Sequence, residues 1–124
     1  MPPTLLVMLG GAIGAALRYH VGALALHRLG PNFPWGTLAV NLAGGLLMGL
    51  LAGVLARGSH GEPLRLFFGV GVLGGFTTFS AFSLEAYNML ARGAAMQAVG
   101  YALVSAVGAI LLVAVGVWLT RAAA

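Results

Sequence analysis

The chain has 124 residues, of which 60% are hydrophobic and only 6% are charged. Soluble domains carry about 25% charged residues, so this composition predicts an integral membrane protein. The formal charge of +4, from six Arg against Glu62 and Glu85, is too weak and dispersed for nucleic-acid binding, and the absence of Cys excludes disulfides and thiolate chemistry.

Four apolar segments follow one another along the chain, and each reaches the ~20 residues that a membrane-spanning helix needs. All five prolines lie outside these segments or in their first turns, where helices tolerate proline. No basic residue precedes the first segment, so we expect it to be retained rather than removed as a signal peptide. The pattern predicts one all-α membrane domain, residues 1–124, with transmembrane helices at about 4–29, 35–56, 64–91 and 94–120.

Arginine and glycine mark the predicted ends of three helices. Arginine in a last turn complements the negative end of the helix dipole, and glycine accepts the left-handed conformation of a C-cap. Short connections predict that consecutive helices are antiparallel neighbours. The Arg and Gly pairs are Arg28 with Gly30, Arg57 with Gly58, and Arg92 with Gly93.

Glycine also recurs at every fourth position inside three of the helices. Small residues at this spacing let helices approach closely in lipid, so the spacing indicates helix packing and nothing about chemistry. The repeats are Gly10 and Gly14, Gly45, Gly49 and Gly53, and Gly71 and Gly75.

The third helix contains the stretch GGFTTFSAFS at residues 74–83. Paired glycine favours a departure from helical geometry, and carbonyls freed at membrane depth must face protein, water or an ion. We therefore predict that the third helix is broken at its centre and that this stretch is the working part of the protein.

Uncharged polar side chains collect in one half of the predicted membrane span. Asn41 lies about two turns into the second helix, and Tyr101 enters from the same side on the fourth. Ser105 lies one turn deeper on the same face as Tyr101. The later part of the third helix adds three residues to this half: Phe79, Phe82 and Ser83.

This set omits the ionisable groups that proton-coupled transport needs at membrane depth and the acidic rings of many cation pores. Amide and hydroxyl hydrogens and the edges of phenylalanine rings carry partial positive charge, which suits a small anion that accepts hydrogen bonds. Taken alone, Phe79 and Phe82 at positions i and i+3 favour ordinary packing, whereas their place beside a GGFTT run favours function.

Two charged residues lie toward the same side of the membrane. Arg18 and Glu85 have depths compatible with a buried or vestibular pair, and attraction of anions by Arg18 is an equal alternative to structural pairing. His20, His27 and His60 have no ligand-like spacing with acidic residues, so no metal site is predicted at them.

The arginines divide evenly between the two sides of the membrane. Orientation depends on a bias in such charges, so an even division predicts insertion both ways and pairing of opposed copies as an antiparallel dual-topology homodimer. A single topology set by one local charge is the alternative. The N-terminal side has Arg57, Arg65 and Arg121, and the other side has Arg18, Arg28 and Arg92.

Three motifs resemble those of the Fluc (CrcB) fluoride channels. The stretch GGFTTFSAFS at 74–83 resembles their third-helix signature, GTLAVN at 36–41 their second-helix motif, and GAALRY at 14–19 their first-helix motif. The resemblance covers all four helices and the chain length, and the third-helix run is its specific part.

The resemblance implies a channel, not an enzyme, that exports fluoride passively and selectively across the cytoplasmic (inner) membrane. It implies an antiparallel dual-topology homodimer with two pores. Fluoride would bind the Asn41 amide and pass the ring edges of Phe79 and Phe82. The remaining pore positions would be Ser83, Tyr101 and Ser105.

The resemblance also implies a structural sodium ion at the dimer centre. The carbonyls of Gly74 and Thr77 from each of two subunits would hold it, because sodium takes hard oxygen ligands.

Two other functions stay open on the residues alone. A small multidrug-type proton-coupled exporter is also short and four-helical, but it needs a carboxylate in the middle of its first helix, and here only Glu85 of the third is available. A non-transporting scaffold subunit would use the glycine repeats but leaves Asn41 and the Thr77-Thr78 pair unexplained.

Overall fold

The computed structural model describes residues 1–58 and 61–123, so the histidine prediction at His60 lies outside the described residues. The described chain forms four helical spans, each long and apolar enough to cross a membrane, as expected for a multi-pass membrane protein. The predicted bounds differ from the observed ones most at the start of the third span, by three residues. The spans are Pro3–Leu29, Trp35–Ala56, Gly61–Ala91 and Ala95–Ala122.

The third span consists of two arms separated by a break. Between the arms, Thr77 and Thr78 have extended backbones with ψ angles of 159° and 120°. The predicted break in the third helix is therefore present. The first arm comprises the α-helical Gly61–Leu64, the π-helical Arg65–Leu73 and the α-helical turn Gly74–Phe76, and the second arm is Phe79–Ala91.

The break falls on the two threonines and not on the glycine pair. Gly74 is helical, with φ −62° and ψ −39°, and Gly75 lies inside the same helical turn. A Cβ atom at Gly75 would come within 2.5 Å of the carbonyl oxygen of Gly11 and 3.1 Å of the amide nitrogen of Ala15. The expectation that paired glycine breaks the helix was therefore wrong. Glycine at position 75 instead lets the first arm approach the first span closely.

The spans pack chiefly as two parallel pairs, the second with the fourth and the first with the first arm of the third. Consecutive spans are also in contact, as the short connections predicted, but less extensively than these two pairs. The glycine repeats explain why the second span packs most closely with the fourth and the first with the third, because no side chains lie between the two backbones at these positions. Gly45 and Gly49 of the second span lie against the backbone at Ala109 and Val113 of the fourth.

The spans end in two different ways. Gly30 and Gly93 have positive φ angles of 81° and 83°, which glycine adopts most easily, at the predicted ends of the first and third spans. The ψ angle of Gly30 is 178°, so this residue does not form the predicted left-handed helical cap. The second span ends in a right-handed Arg57, whose Nη1 donates to the carbonyl oxygen of Thr120 at 3.1 Å. This bond joins the ends of the second and fourth spans.

A small core forms between the second span, the second arm of the third span and the fourth span. Its buried members are Leu38, Met89, Ala98 and Tyr101, and Phe82 packs against them from one side. Large apolar side chains cover much of the remaining surface, as a bilayer requires. The core therefore holds the second arm in place next to the break.

Candidate functional site

The break in the third span is held by a side-chain amide from the second span. The backbone N–H of Thr78 donates to Oδ1 of Asn41 at 2.9 Å, and Nδ2 of Asn41 donates to the carbonyl oxygen of Thr78 at 3.0 Å. The amide of Asn41 thus satisfies both backbone groups of one extended residue, which an unbroken helix would have satisfied internally. One N–H of this amide has no part in the pair.

Two carbonyls next to the break lose their helical donors. In a continuous α-helix the N–H of Thr78 would bond to the carbonyl of Gly74, but here it donates to Asn41. The N–H of Ala81 would bond to the carbonyl of Thr77, but it donates to Oγ1 of Thr78 at 3.1 Å, in an N-cap. The carbonyl oxygens of Gly74 and Thr77 thus lose their helical donors to Asn41 and Thr78, whereas the carbonyl of Gly75 accepts from Arg18.

Arg18 and Glu85 do not pair with each other within the chain. Nε of Arg18 donates to the carbonyl oxygen of Gly75 at 3.1 Å. Glu85 accepts hydrogen bonds from Oγ1 of Thr37 at 2.9 Å and from the hydroxyl of Tyr101 at 3.0 Å. Of the two equal alternatives for this pair, structural pairing is therefore not seen within the chain, and anion attraction by Arg18 stays a prediction. Each residue is partly buried and has uncharged partners on other helices.

A cavity of about 450 Å³ opens beside the break. Four of the residues predicted from the sequence, Asn41, Phe79, Phe82 and Ser105, lie together on its wall, with Thr77 and Thr78. Ser105 is only 8% exposed, and its hydroxyl has no hydrogen-bond partner among the residues that the structure describes. All the residues that line the cavity are uncharged: Asn41, Gly44, Gly45, Met48, Thr77, Thr78, Phe79, Phe82, Ser105, Ala106, Ala109, Ile110 and Val113.

Aromatic rings form a chain from the cavity to the core. The rings of Phe79 and Phe82 are 5.6 Å apart, and those of Phe82 and Tyr101 are 5.0 Å apart. Tyr101 is 1% exposed, whereas Phe79 is 80% exposed. This row of rings therefore begins at Phe79, which the protomer leaves exposed, and ends at Tyr101, whose phenol donates to Glu85.

The remaining predicted residues are placed differently. The hydroxyl of Ser83 donates to the carbonyl oxygen of Phe79 at 2.8 Å, and Ser83 is not among the residues lining the cavity. Gly74 is exposed, while Thr77 is half-buried, with its hydroxyl donating to the carbonyl of Leu73. The hydroxyls of Ser83 and Thr77 are thus both bonded to backbone carbonyls. The polar groups that Gly74 and Thr77 can offer to a ligand are therefore those of the backbone.

Two polar residues of this site lie in motifs noted in the sequence but were assigned no individual role there. Thr37 binds Glu85, and Thr78 both caps the second arm and pairs with Asn41. Thr37 lies four positions before Asn41, so helical periodicity could have placed it on the same face. No sequence signal identified the partner of Thr78, because its bond to Asn41 joins residues 37 positions apart.

The amino-acid sequence of this chain matches a known protein family. Residues 5–117 match the family model described as "CrcB-like protein, Camphor Resistance (CrcB)". A protein of Sphingopyxis alaskensis, named "Fluoride-specific ion channel FluC", is 55% identical over 93% of this chain and 92% of its own. Proteins of the same name from Novosphingobium aromaticivorans and Mesorhizobium japonicum are 54% and 50% identical, over 96% and 94% of this chain and 93% and 94% of their own. With the broken third span and its flanking motifs, these matches show that the chain belongs to the CrcB family.

Proposed function

We propose that this chain forms a fluoride-selective channel and carries fluoride passively out of the cell, which protects the cell from fluoride toxicity. The observation that carries the proposal is the hydroxyl of Ser105, which is buried and unpartnered in an uncharged cavity beside Phe79 and Phe82. A buried hydroxyl without a partner costs about 1–3 kcal/mol, and a ligand that accepts its hydrogen would remove this cost. The relatives named as fluoride-specific ion channels support fluoride as that ligand.

The chemistry of the cavity wall suits a small anion. Ser105 can donate its hydroxyl hydrogen, and Asn41 has one N–H left after binding Thr78. Phe79 and Phe82 can turn the positive edges of their rings toward a negative ion. Uncharged donors replace part of the hydration shell without holding the ion as tightly as a fixed positive charge, which permits conduction.

Passive conduction is favoured over proton coupling by the position of the nearest carboxylate. Glu85 accepts bonds from Thr37 and Tyr101 and is not among the residues that line the cavity. A coupled exporter needs an ionisable group that meets its substrate at membrane depth. The uncharged cavity wall supports a channel in which the electrochemical gradient of fluoride sets the direction, without coupling to protons.

The functional unit is an antiparallel dual-topology homodimer with two pores. Phe79 is 80% exposed at the mouth of the cavity, so a single chain provides only part of a pore wall. A second copy packed against this face in the opposite orientation would complete it, and two-fold symmetry then gives two equivalent pores. Phe79, Phe82, Ser83, Tyr101 and Ser105 are the pore positions, with Asn41.

A structural sodium ion lies between the two subunits and is held by the carbonyls of Gly74 and Thr77. These are the two carbonyls whose helical donors are taken by Asn41 and Thr78, and uncharged oxygens of this kind are ligands that sodium accepts. Gly74 is exposed at the surface of the chain, which suits a ligand shared between subunits. The ion would tie the two breaks together, while conduction uses the side chains beyond them.

The protein lies in the cytoplasmic (inner) membrane as a multi-pass protein. Arg18 contributes positive potential beside the break, where its guanidinium binds the carbonyl of Gly75. This potential would raise the local concentration of anions at the pore entrance.

A flux assay on purified protein in liposomes tests the proposed function. Efflux of fluoride, chloride and an organic cation is measured from separate vesicle preparations, with and without a proton gradient. We expect fluoride efflux far above chloride efflux and no response to the proton gradient. Proton-driven movement of the organic cation would support the exporter instead, and no movement of any of these would support a scaffold.

A further inference from the structure

Asn41 performs a task at the break that is separate from contact with a permeating ion. Its amide forms two hydrogen bonds to the backbone of Thr78, at 2.9 and 3.0 Å. Both bonds are made within the chain and need no ligand. They cross from the second span to the third, so they determine the backbone geometry at a point where the helix cannot do so itself.

The acceptor oxygen of Asn41 decides which carbonyl is left without a donor. Without Oδ1, the N–H of Thr78 would need another acceptor, and the one that an α-helix provides is the carbonyl of Gly74. Bonding to it would require Thr77 and Thr78 to leave their extended conformations. With Oδ1 present, the N–H points to Asn41 and the Gly74 carbonyl stays available.

The hydroxyl of Thr78 does the same for the next carbonyl. Its Oγ1 takes the N–H of Ala81 at 3.1 Å, which would otherwise return to the carbonyl of Thr77. The other two carbonyls with known partners are already used, because Arg18 binds that of Gly75 and Asn41 binds that of Thr78. The side chains of Asn41, Thr78 and Arg18 thus act on four carbonyls of the break. Those of Gly75 and Thr78 are occupied, and those of Gly74 and Thr77 stay available.

We infer that Asn41 is a positioning residue for cation binding: its amide oxygen, together with the hydroxyl of Thr78, withholds backbone N–H donors from the carbonyls of Gly74 and Thr77 and so leaves both free to bind a sodium ion. This inference rests on the dimer and sodium site proposed above. It assigns Asn41 two separable roles, since its acceptor oxygen serves the cation site and its remaining N–H faces the pore.

The test measures sodium binding by the intact dimer without measuring conduction. Purified dimer is unfolded thermally in detergent at rising NaCl, with choline chloride replacing NaCl to keep chloride and ionic strength constant. An ion that binds only the folded dimer raises the unfolding midpoint with concentration, and the dependence gives an apparent sodium affinity. Fluoride efflux from liposomes is measured on the same preparations.

Asn41→Leu and Asn41→Asp separate the two roles. Asn41→Leu removes the acceptor at similar volume, so we expect the apparent sodium affinity to be about tenfold weaker. A tenfold change corresponds to the net contribution of about one hydrogen bond. Asn41→Asp retains an acceptor oxygen for the N–H of Thr78, so we expect a sodium response at least as strong as that of the wild type. Its negative charge next to the pore should nevertheless abolish fluoride efflux.

Thr78→Val and Thr78→Ser form a second pair, which decides the question if Asn41→Leu does not fold. Valine keeps the shape but removes the acceptor for Ala81, so the apparent sodium affinity should fall, whereas serine keeps the hydroxyl and should retain it. Ser105→Ala is the control for pore damage: we expect it to lower fluoride efflux and leave the sodium response unchanged.

The possible outcomes separate this inference from the proposed function. A wild-type sodium response in Asn41→Leu or in Thr78→Val would overturn the inference, and so would a wild-type dimer whose stability ignores sodium. A wild-type dimer that responds to sodium but carries no fluoride would contradict the proposed function, while the four variants would still decide the role of Asn41.

Discussion

At the scale of single residues, the hydroxyl of Ser105 and the ring of Phe82 bear most directly on the proposed pore. Ser105 is buried without a hydrogen-bond partner, and Phe82 connects the exposed Phe79 to the buried Tyr101. Neither residue carries a formal charge. Their contribution to conduction therefore depends on donor direction and ring orientation, which substitutions of similar size can remove without disturbing the charge of the protein.

Ser105→Ala is predicted to lower fluoride efflux on the order of tenfold without destabilising the protein. A hydrogen bond to a charged group contributes about 1.5–3 kcal/mol, whereas an unpartnered buried hydroxyl contributes nothing favourable to folding. Efflux and thermal unfolding of the same variant check both halves of the prediction. Thr120→Val is the matched control, because its buried hydroxyl bonds only to the carbonyls of Gly116 and Val117. Equal efflux from Ser105→Ala and wild type would remove Ser105 from the pore.

Phe82→Ile is predicted to abolish fluoride efflux while the dimer persists. Isoleucine fills much of the same volume against Tyr101 but has no positive ring edge to offer an anion. Liposome efflux and size-exclusion chromatography measure the two properties. Leu84→Ile, at an exposed position on the same arm, serves as the control for a branched side chain in this helix. Normal efflux from Phe82→Ile would show that the ring edge is dispensable.

At the scale of elements, backbone contact between spans decides the packing. Gly116 of the fourth span lies against the second, where a Cβ would come within 2.5 Å of the carbonyl oxygen of Leu46 and 2.6 Å of the amide nitrogen of Leu50. Gly100 on the same helix has no neighbour within 4 Å of its Cβ position. The fourth span thus contains one glycine that close packing requires, Gly116, and one that it does not require, Gly100.

Gly116→Ala is predicted to destabilise the protein by about 1–3 kcal/mol, because the methyl group must push two backbones apart. Gly100→Ala should instead be neutral or stabilising by up to about 1 kcal/mol, because alanine favours the helix and meets open space. Thermal or denaturant unfolding in the same detergent compares the pair. Equal destabilisation by both substitutions would contradict the assigned contact between the second and fourth spans.

The glycine repeats show how much of the helix packing can be predicted from the sequence. Their spacing correctly indicated close helix packing, but it could not say which helices pair, because the repeats on several spans are equivalent. The partners follow from three-dimensional fit, and they are alternate spans rather than consecutive ones. The prediction that the pair Gly74 and Gly75 breaks the helix fails for the same reason, since Gly75 has its close neighbour in the distant Gly11.

At the scale of the whole molecule, the balance of positive charge bears on orientation. Arg18 binds the carbonyl of Gly75 inside the span, so it counts less toward the loop bias than the sequence suggested. Without Arg18, one side of the membrane has two arginines, Arg28 and Arg92, and the opposite side has three. One of these three, Arg65, is paired with Glu62, which offsets its charge. A margin this small is compatible with insertion in both orientations.

Dual topology can be measured by placing cysteine at one exposed site on each side. Asn32 lies between the first two spans and Ala123 follows the fourth, and the chain has no cysteine of its own. With an impermeant thiol reagent on intact cells, we expect Asn32→Cys and Ala123→Cys each to label to about half of the level reached after permeabilisation, because two-fold antiparallel pairing presents each site equally on both sides. Complete labelling of one and none of the other would establish a single orientation.

The sequence by itself determined the class of the protein, its four spans, the presence of a break and the residue types of the site. These depend on composition and local periodicity, which are properties of short stretches of chain. Only the tertiary structure decided which spans pair, that the break falls on Thr77 and Thr78, and that Asn41 holds it open. It also separated Arg18 from Glu85. The physical reason is that each of these features is a contact between residues far apart in the chain, and it depends on how four helices fit together rather than on any one of them.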